Sequence, residues 1–241
     1  MTRAQSLREG FTTGSAATAA AVAALRCLLR GEHPESVVVL PPPRAELRTP
    51  LRIPIAACAA GPAPGVPEDP AEGPAALPGG VAHAGVIKDG GDDPDATHNA
   101  VIYATVALLP KAEPPRAAVF LEASPLPLFL EGGFGVGRVT LPGLPVPVGQ
   151  PAVNPSPREQ LCAAVRELLA AVPPPPSAAG VLITLSVPEG RAIAAHTFNP
   201  RLGIVGGISI LGTQGTVRPF SHAAWQASII QGISVAGATR C

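Results

Sequence analysis

Prolines bound the first β-branched runs of this chain and keep them short, because proline lacks the N–H that a sheet ladder uses. Residues 36–40 and 51–56 are two such runs, and Pro41, Pro42 and Pro43 between them predict a pair of strands joined by a turn. Residues 81–87, 101–108, 117–122 and 136–140 are further strand candidates, although Ala and Leu mixed into 101–108 leave a helix open there. The Pro/Gly/Ala stretch 60–80 reads as a loop.

Two segments carry helix signals instead. Residues 14–30 start at a Thr/Ser cluster, are rich in Ala so that another backbone can approach closely, and end at Gly31. Residues 156–172 place Ser156 and Glu159 at capping-box spacing and Pro157 at the first helical position. Leu161, Val165, Leu168, Leu169 and Val172 then form one apolar stripe whose job is packing. After a stiff linker at 173–176, residues 181–187 predict a strand, and the Ala-rich segment 191–196 a second one. Helices and strands mix without a regular βαβ rhythm, so the predicted class is α+β rather than a doubly wound sheet.

Composition narrows the functions. Lys plus Arg and Asp plus Glu both number 17, so no basic field exists to attract nucleic acid. The 31 prolines and 26 glycines suggest disorder, but 46% hydrophobic residues and a mean hydropathy of +0.31 argue for a packed core. Cys27, Cys58, Cys162 and Cys241 are far apart in sequence, with no C-x-x-C pair and no histidine at zinc-finger spacing. They are expected to be reduced thiols of a cytoplasmic protein without a metal site. The apolar segment 16–29 contains Arg26 and lacks a small-residue cleavage site, so it is not read as a signal sequence. No segment reaches the roughly 18 consecutive apolar residues that span a bilayer, so no membrane association is expected.

Four segments can carry chemistry. Phe11, Thr12, Thr13, Gly14 and Ser15 place hydroxyls at a predicted helix start, where free N–H groups suit an anion, or where the same residues simply cap and pack the helix. The run from Lys88 to His98 gathers Asp89, Asp92, Asp93, Asp95 and His98, enough to bind a cation or to transfer a proton, with a solvated acidic turn as the plainer alternative. Its spacing is not that of an EF-hand. In the third segment, Glu131 to Arg138, glycines alternate without opening a helix or leading to Gly-Lys-Ser/Thr. That rules out the dinucleotide and P-loop fingerprints, and leaves close approach to a bulky ligand or tight β-turns. The fourth holds Asn199, Arg201, Gly206, Gly207, Ser209, Gly212, Thr213 and Arg218, a glycine density costly in backbone entropy, which favours a ligand lining over a structural bend.

In their order along the chain, with the Gly143 to Pro155 stretch between them, these segments resemble the CbiD family of cobalt-precorrin-5B C1-methyltransferases. The resemblance implies S-adenosylmethionine as methyl donor, a tetrapyrrole substrate whose cobalt is substrate rather than cofactor, and contact with neighbouring enzymes of cobalamin synthesis. It also implies an N-terminal α+β domain over residues 1–220, related by permutation to the second domain of ribosomal protein S5. A smaller α/β domain should follow, of which residues 221–241 can supply one helix and at most one strand. A non-catalytic module that binds the corrinoid intermediate is the alternative. Under this resemblance Asp89, Asp92, Asp93, Asp95 and His98 are the candidate bases. Substrate contacts fall to Thr12, Thr13, Gly14, Asn154, Asn199, Gly206, Gly207, Ser209, Gly212 and Thr213, with Arg138, Arg158, Arg201 and Arg218 as partners for the substrate's carboxylates.

Overall fold

The structure, a computed structural model, describes residues 7–67, 80–112, 118–122 and 125–239. In chain order its strands are β1 (Gly10–Phe11), β2 (Ser36–Val39), β3 (Leu51–Pro54), β4 (Ala57–Ala60), β5 (Val81–Ile87), β6 (Val101–Leu109) and β7 (Val119–Glu122), then β8 (Leu128–Gly132), β9 (Gly135–Val136), β10 (Arg138–Val139), β11 (Gly180–Ser186), β12 (Ile204–Val205), β13 (Gly207–Ile208) and β14 (Thr216–Val217). The helices are α1 (Thr13–Arg30), α2 (Pro155–Ala171), α3 (Gly190–Ala194) and α4 (His222–Thr239), with a 3-10 turn at Asn199–Leu202.

Helix α1 is buried at every residue from Thr13 to Leu25, which its alanines permit: with only a methyl to accommodate, the sheet closes on one side and α2 on another. Polar groups within it are satisfied locally, as where the Thr18 hydroxyl donates to the Gly14 carbonyl at 2.9 Å. The helix ends where Gly31 turns left-handed (φ 67°) and its N–H bonds the Cys27 carbonyl.

Beneath α1 lies one six-stranded sheet in the order β4-β5-β6-β11-β8-β7. Only the β11 and β8 pair is parallel, and the chain makes the required crossover through β9, β10 and α2. Register aligns Ala104, Val106 and Leu108 of β6 with Leu185, Ile183 and Val181 of β11, and these with Gly132, Leu130 and Leu128 of β8. This row faces the helices and forms the main core, in which Leu130 and Ile183 are fully buried at about 1.5–3 kcal/mol each. A smaller cluster of Ala107, Leu109, Phe129 and Leu182 packs on the opposite face.

Most predicted elements are present, with instructive departures. The segment 191–196 is not a strand: α3 occupies Gly190–Ala194, and Ala-rich sequence without β-branching suits it. Helix α2 starts two residues earlier than the capping-box reading, with Asn154 as N-cap and Pro155 at its first position. Glu159 instead pairs with Arg44 at 3.2 Å. The strand expected at 136–140 is broken at Gly137 into β9 and β10, which pair with different partners. Strand β8, interior to the sheet, was not predicted, and β4 precedes the expected loop, of which 68–79 lie outside the described residues. Residue 101–108 is strand, not helix. Beyond Ser221 the chain forms the single helix α4, and Cys241 lies outside the described residues. No helix among the described residues is long and apolar enough to cross a membrane.

Candidate functional site

The start of α1 rests on the loop that follows β13. Gly14 N–H donates to the Leu211 carbonyl, Thr12 N–H to that of Gly215, and the Ser15 hydroxyl also to Gly215 at 2.9 Å. The Thr13 hydroxyl both donates to the Leu211 carbonyl (3.1 Å) and accepts its N–H (2.9 Å), while Thr12 caps the helix by accepting the Ser15 N–H. The helix-start N–H groups of Gly14 and Ser15 are thereby occupied by the protein itself, which favours the capping and packing reading of this cluster over an anion cradle. Gly14 is required by close approach: a Cβ there would stand 2.8 Å from Pro157 of α2.

Between this helix start and the β5–β6 hairpin loop lies a cavity of about 180 Å³, lined by Thr12, Thr13, Lys88, Asp95, Asn199 and Ser209 among others. Lys88 is the deepest charge, 1% exposed, and its Nζ donates to Asp95 Oδ2 at 2.5 Å. The N–H and hydroxyl of Thr97 both bond Asp95 Oδ1, at 2.8 and 2.7 Å. Burial raises the Asp95 carboxyl, but the Lys88 ammonium and the Thr97 donors outweigh it and hold the group below its ordinary value. With one of three ammonium protons given to Asp95, Lys88 retains donors for a ligand.

The rest of the acidic run fastens segments together. Asp89 forms an ion pair with Arg8 and accepts the Gly91 N–H, Asp92 accepts the Arg8 N–H at 2.7 Å, and Asp93 accepts the Phe220 N–H at 3.0 Å. The hydrogen bond from the Arg8 guanidinium holds the Asp89 carboxyl below the ordinary carboxylate range. His98 accepts the Gly90 N–H at Nδ1 (3.0 Å), which leaves its proton on Nε2. Of the five expected acid–base groups, only Asp95 lines the cavity.

A second cavity of about 160 Å³ adjoins the first, since Asn199, Ser209 and Leu211 line both. Asn154, Phe198 and Leu202 line it from one side, Ser228 and Gln231 of α4 from another. Ser209 donates to Asn199 Oδ1 at 3.3 Å and ties the shared wall together. The Arg201 guanidinium lies over the ring of Phe198, 5.8 Å from its centre.

The remaining arginines are engaged elsewhere. Arg158 donates to the Val153 and Pro151 carbonyls and to Gln150 Oε1, and burial lowers its pKa. Arg138 donates to the Gly149 carbonyl, and Arg218 pairs with Glu9 at 3.1 Å. The glycines mostly meet protein: a Cβ at Gly207 would lie 2.0 Å from the Gly135 carbonyl oxygen, and one at Gly212 2.3 Å from Thr12. Gly206 and Thr213 are exposed. Sequence reasoning omitted Lys88, Thr97 and Thr197 from the site. The signal for Lys88 is periodicity, since Ala82, Ala84 and Val86 all point inward and the next residue in that alternation is Lys88.

A family model described as CbiD matches residues 1–219. The cobalt-precorrin-5B C(1)-methyltransferase of Nitratidesulfovibrio vulgaris is 54% identical over 234 residues, 96% of this chain and 52% of its own. That of Geobacillus kaustophilus is 44% identical over 238 residues, 98% of this chain and 54% of its own. The crystal structure of a cobalamin biosynthesis protein (cbiD) from Archaeoglobus fulgidus superposes with a TM-score of 0.57 at 27% identity, covering 93% of this chain and 59% of that one. The chain thus spans about half the length of the curated relatives it matches.

Proposed function

The chain belongs to the CbiD family, and from that premise we propose that it provides the substrate-binding part of a methyltransferase acting on carbon C1 of cobalt-precorrin-5B, giving cobalt-precorrin-6A in cobalamin synthesis. The 54% identity to the Nitratidesulfovibrio vulgaris methyltransferase, sustained over 96% of this chain, carries the reading. Residues 1–220 then correspond to an N-terminal α+β domain of the permuted ribosomal protein S5 type, and the protein works in the cytoplasm.

When bound, S-adenosylmethionine would supply an electrophilic methyl to the ring carbon, its carbon–sulfur bond breaking to give S-adenosylhomocysteine. Such a displacement needs in-line positioning in a water-poor site more than strong acid catalysis. A cavity of about 180 Å³ is too small for a macrocycle and holds one part of a ligand. Its charged pair fits the α-amino acid end of S-adenosylmethionine, with Lys88 toward the carboxylate and Asp95 toward the ammonium. Arg201, free of a carboxylate partner among the described residues, and the adjoining second cavity suit an acidic side chain of the tetrapyrrole. If a ring proton must be removed, Asp95 is the carboxylate at the cavity.

The test incubates the 241-residue chain, and separately a full-length relative, with cobalt-precorrin-5B and methyl-labelled S-adenosylmethionine. Labelled cobalt-precorrin-6A from the chain supports the proposal in full. Tetrapyrrole binding without transfer by the chain, beside turnover by the relative, supports the non-catalytic binding module. Neither binding nor turnover by the folded chain refutes both.

A further inference from the structure

Three side chains with metal-ligating atoms meet at the end of α1 remote from the cavity. Cys27 lies in the last turns of α1, His33 in the connection to β2, and Cys58 on β4. One donor atom from each lies within 4.8 Å of the other two, and His33 Nδ1 is 3.9 Å from Cys27 Sγ. We propose that Cys27, His33 and Cys58 form a binding site for a soft or borderline divalent metal ion, zinc by preference, separate from the methyl-transfer site.

The argument is geometric and electrostatic. Bonds of about 2.0–2.3 Å from zinc to nitrogen and sulfur imply ligand-to-ligand edges of roughly 3.6–3.8 Å in a tetrahedron. The observed 3.9 Å edge is already near that figure, and contraction of the others by at most about an ångström, with His33 Nδ1 released from the Cys58 carbonyl to which it now donates at 2.8 Å, completes the set. Two thiolates and a neutral imidazole around a divalent ion sum to zero charge, which suits a place where Cys27 is buried, Cys58 half-buried and His33 exposed. Thiolate and imidazole donors select against magnesium and calcium. The exposed His33 edge leaves the fourth position to water or an incoming ligand.

Rigid elements hold two of the three ligands. Cys58 is opposite Ala84 in the β4–β5 ladder, and the Gly31 N–H anchors the Cys27 carbonyl at 2.8 Å. At about 1.5 Å per helical residue, Cys27 stands some 22 Å along α1 from Thr12, so a metal here does not touch the cavity. Uptake releases the two thiol protons to solvent and changes no oxidation state.

The experiment titrates zinc into the reduced, metal-free chain against a chromophoric chelator, counts released protons, and records the visible spectrum with cobalt(II) in its place. One metal per chain, about two protons released per metal and a thiolate-to-cobalt charge-transfer band are expected. C58S weakens zinc binding by at least about a hundred-fold, and H33Q, at an exposed position that leaves the melting temperature of the metal-free chain unchanged, by at least about ten-fold. C162S, in the same assay, binds as the parent chain does. Absence of zinc binding with every thiol titratable, unchanged binding in H33Q, or loss of the Cys27 and Cys58 thiols to a disulfide in air without metal uptake would each overturn the site.

Discussion

Replacing Asp95 with Asn removes the counter-charge of an ammonium that is 1% exposed. Removing one partner of a buried ion pair typically costs about 3–5 kcal/mol, because the other charge is left without compensation. Asp95 itself is 20% exposed, so water can reach the abandoned Lys88 from the cavity side, and the lower end, about 3 kcal/mol, is expected. For a chain of this length that corresponds to a melting temperature lower by roughly 6–12 °C. The double variant K88M/D95N removes both charges and is expected within about 1 kcal/mol of the parent. Urea unfolding followed by circular dichroism measures all three at pH 7. The acid limb adds a second readout. An unfolded aspartate titrates near pH 3.9, roughly, and the folded Asp95 below that. Its stabilising contribution is therefore complete above the unfolded value and is lost as pH falls through the folded one. D95N lacks this acid loss. A D95N chain as stable as the parent at pH 7, or a double variant as damaged as the single one, would refute the account of Lys88 as a charge that depends on Asp95.

Two further substitutions test structural readings of residues expected at the site. G207A drives a Cβ to 2.0 Å from the Gly135 carbonyl oxygen, where backbone must move, and is expected to cost about 3 kcal/mol; an unchanged melting temperature would show that Gly207 does not approach the Gly135 carbonyl so closely. R158A strips donors from the Val153 and Pro151 carbonyls and from Gln150, and is expected to cost about 2 kcal/mol in urea unfolding. Full stability of R158A combined with lost tetrapyrrole binding would mean that Arg158 serves the ligand instead.

Much of this fold was legible wherever a local signal agreed with its tertiary use. Leu161, Val165, Leu168 and Leu169 form a helical stripe and are buried as one. The alternation Ala82, Ala84, Val86 announces a strand with one inward face. Strand β8 escaped because its apolar core, Leu128 to Leu130, is brief, and nothing local says that it lies parallel to β11, about fifty residues later. The segment 191–196 failed for the opposite reason: alanine fits a short helix as readily as a strand, and packing of α3 against β13 decided it. Around the cavity, residue type singled out segments that line it but not which of their members face it. Asp89, Asp92, Asp93 and Asp95 look alike in sequence, and only the path of the hairpin loop sends one inward and three toward Arg8, Gly91 and Phe220. Cysteine spacing hid the Cys27–Cys58 meeting because the β2–β3 pair intervenes.

The pairing of β1 with β14 sets Gly10 opposite Val217. During synthesis, Thr12 and Thr13 leave the ribosome some two hundred residues before the Leu211 and Gly215 carbonyls that receive the start of α1. A nascent chain halted after β11 already has the strands of its six-stranded sheet but no cavity, and its first helix shows an unclosed end to every chaperone and protease it meets. The first cavity thus closes late, and any lesion that slows passage through residues 207–217 lengthens the interval in which the polypeptide is folded enough to persist while that cavity is still open.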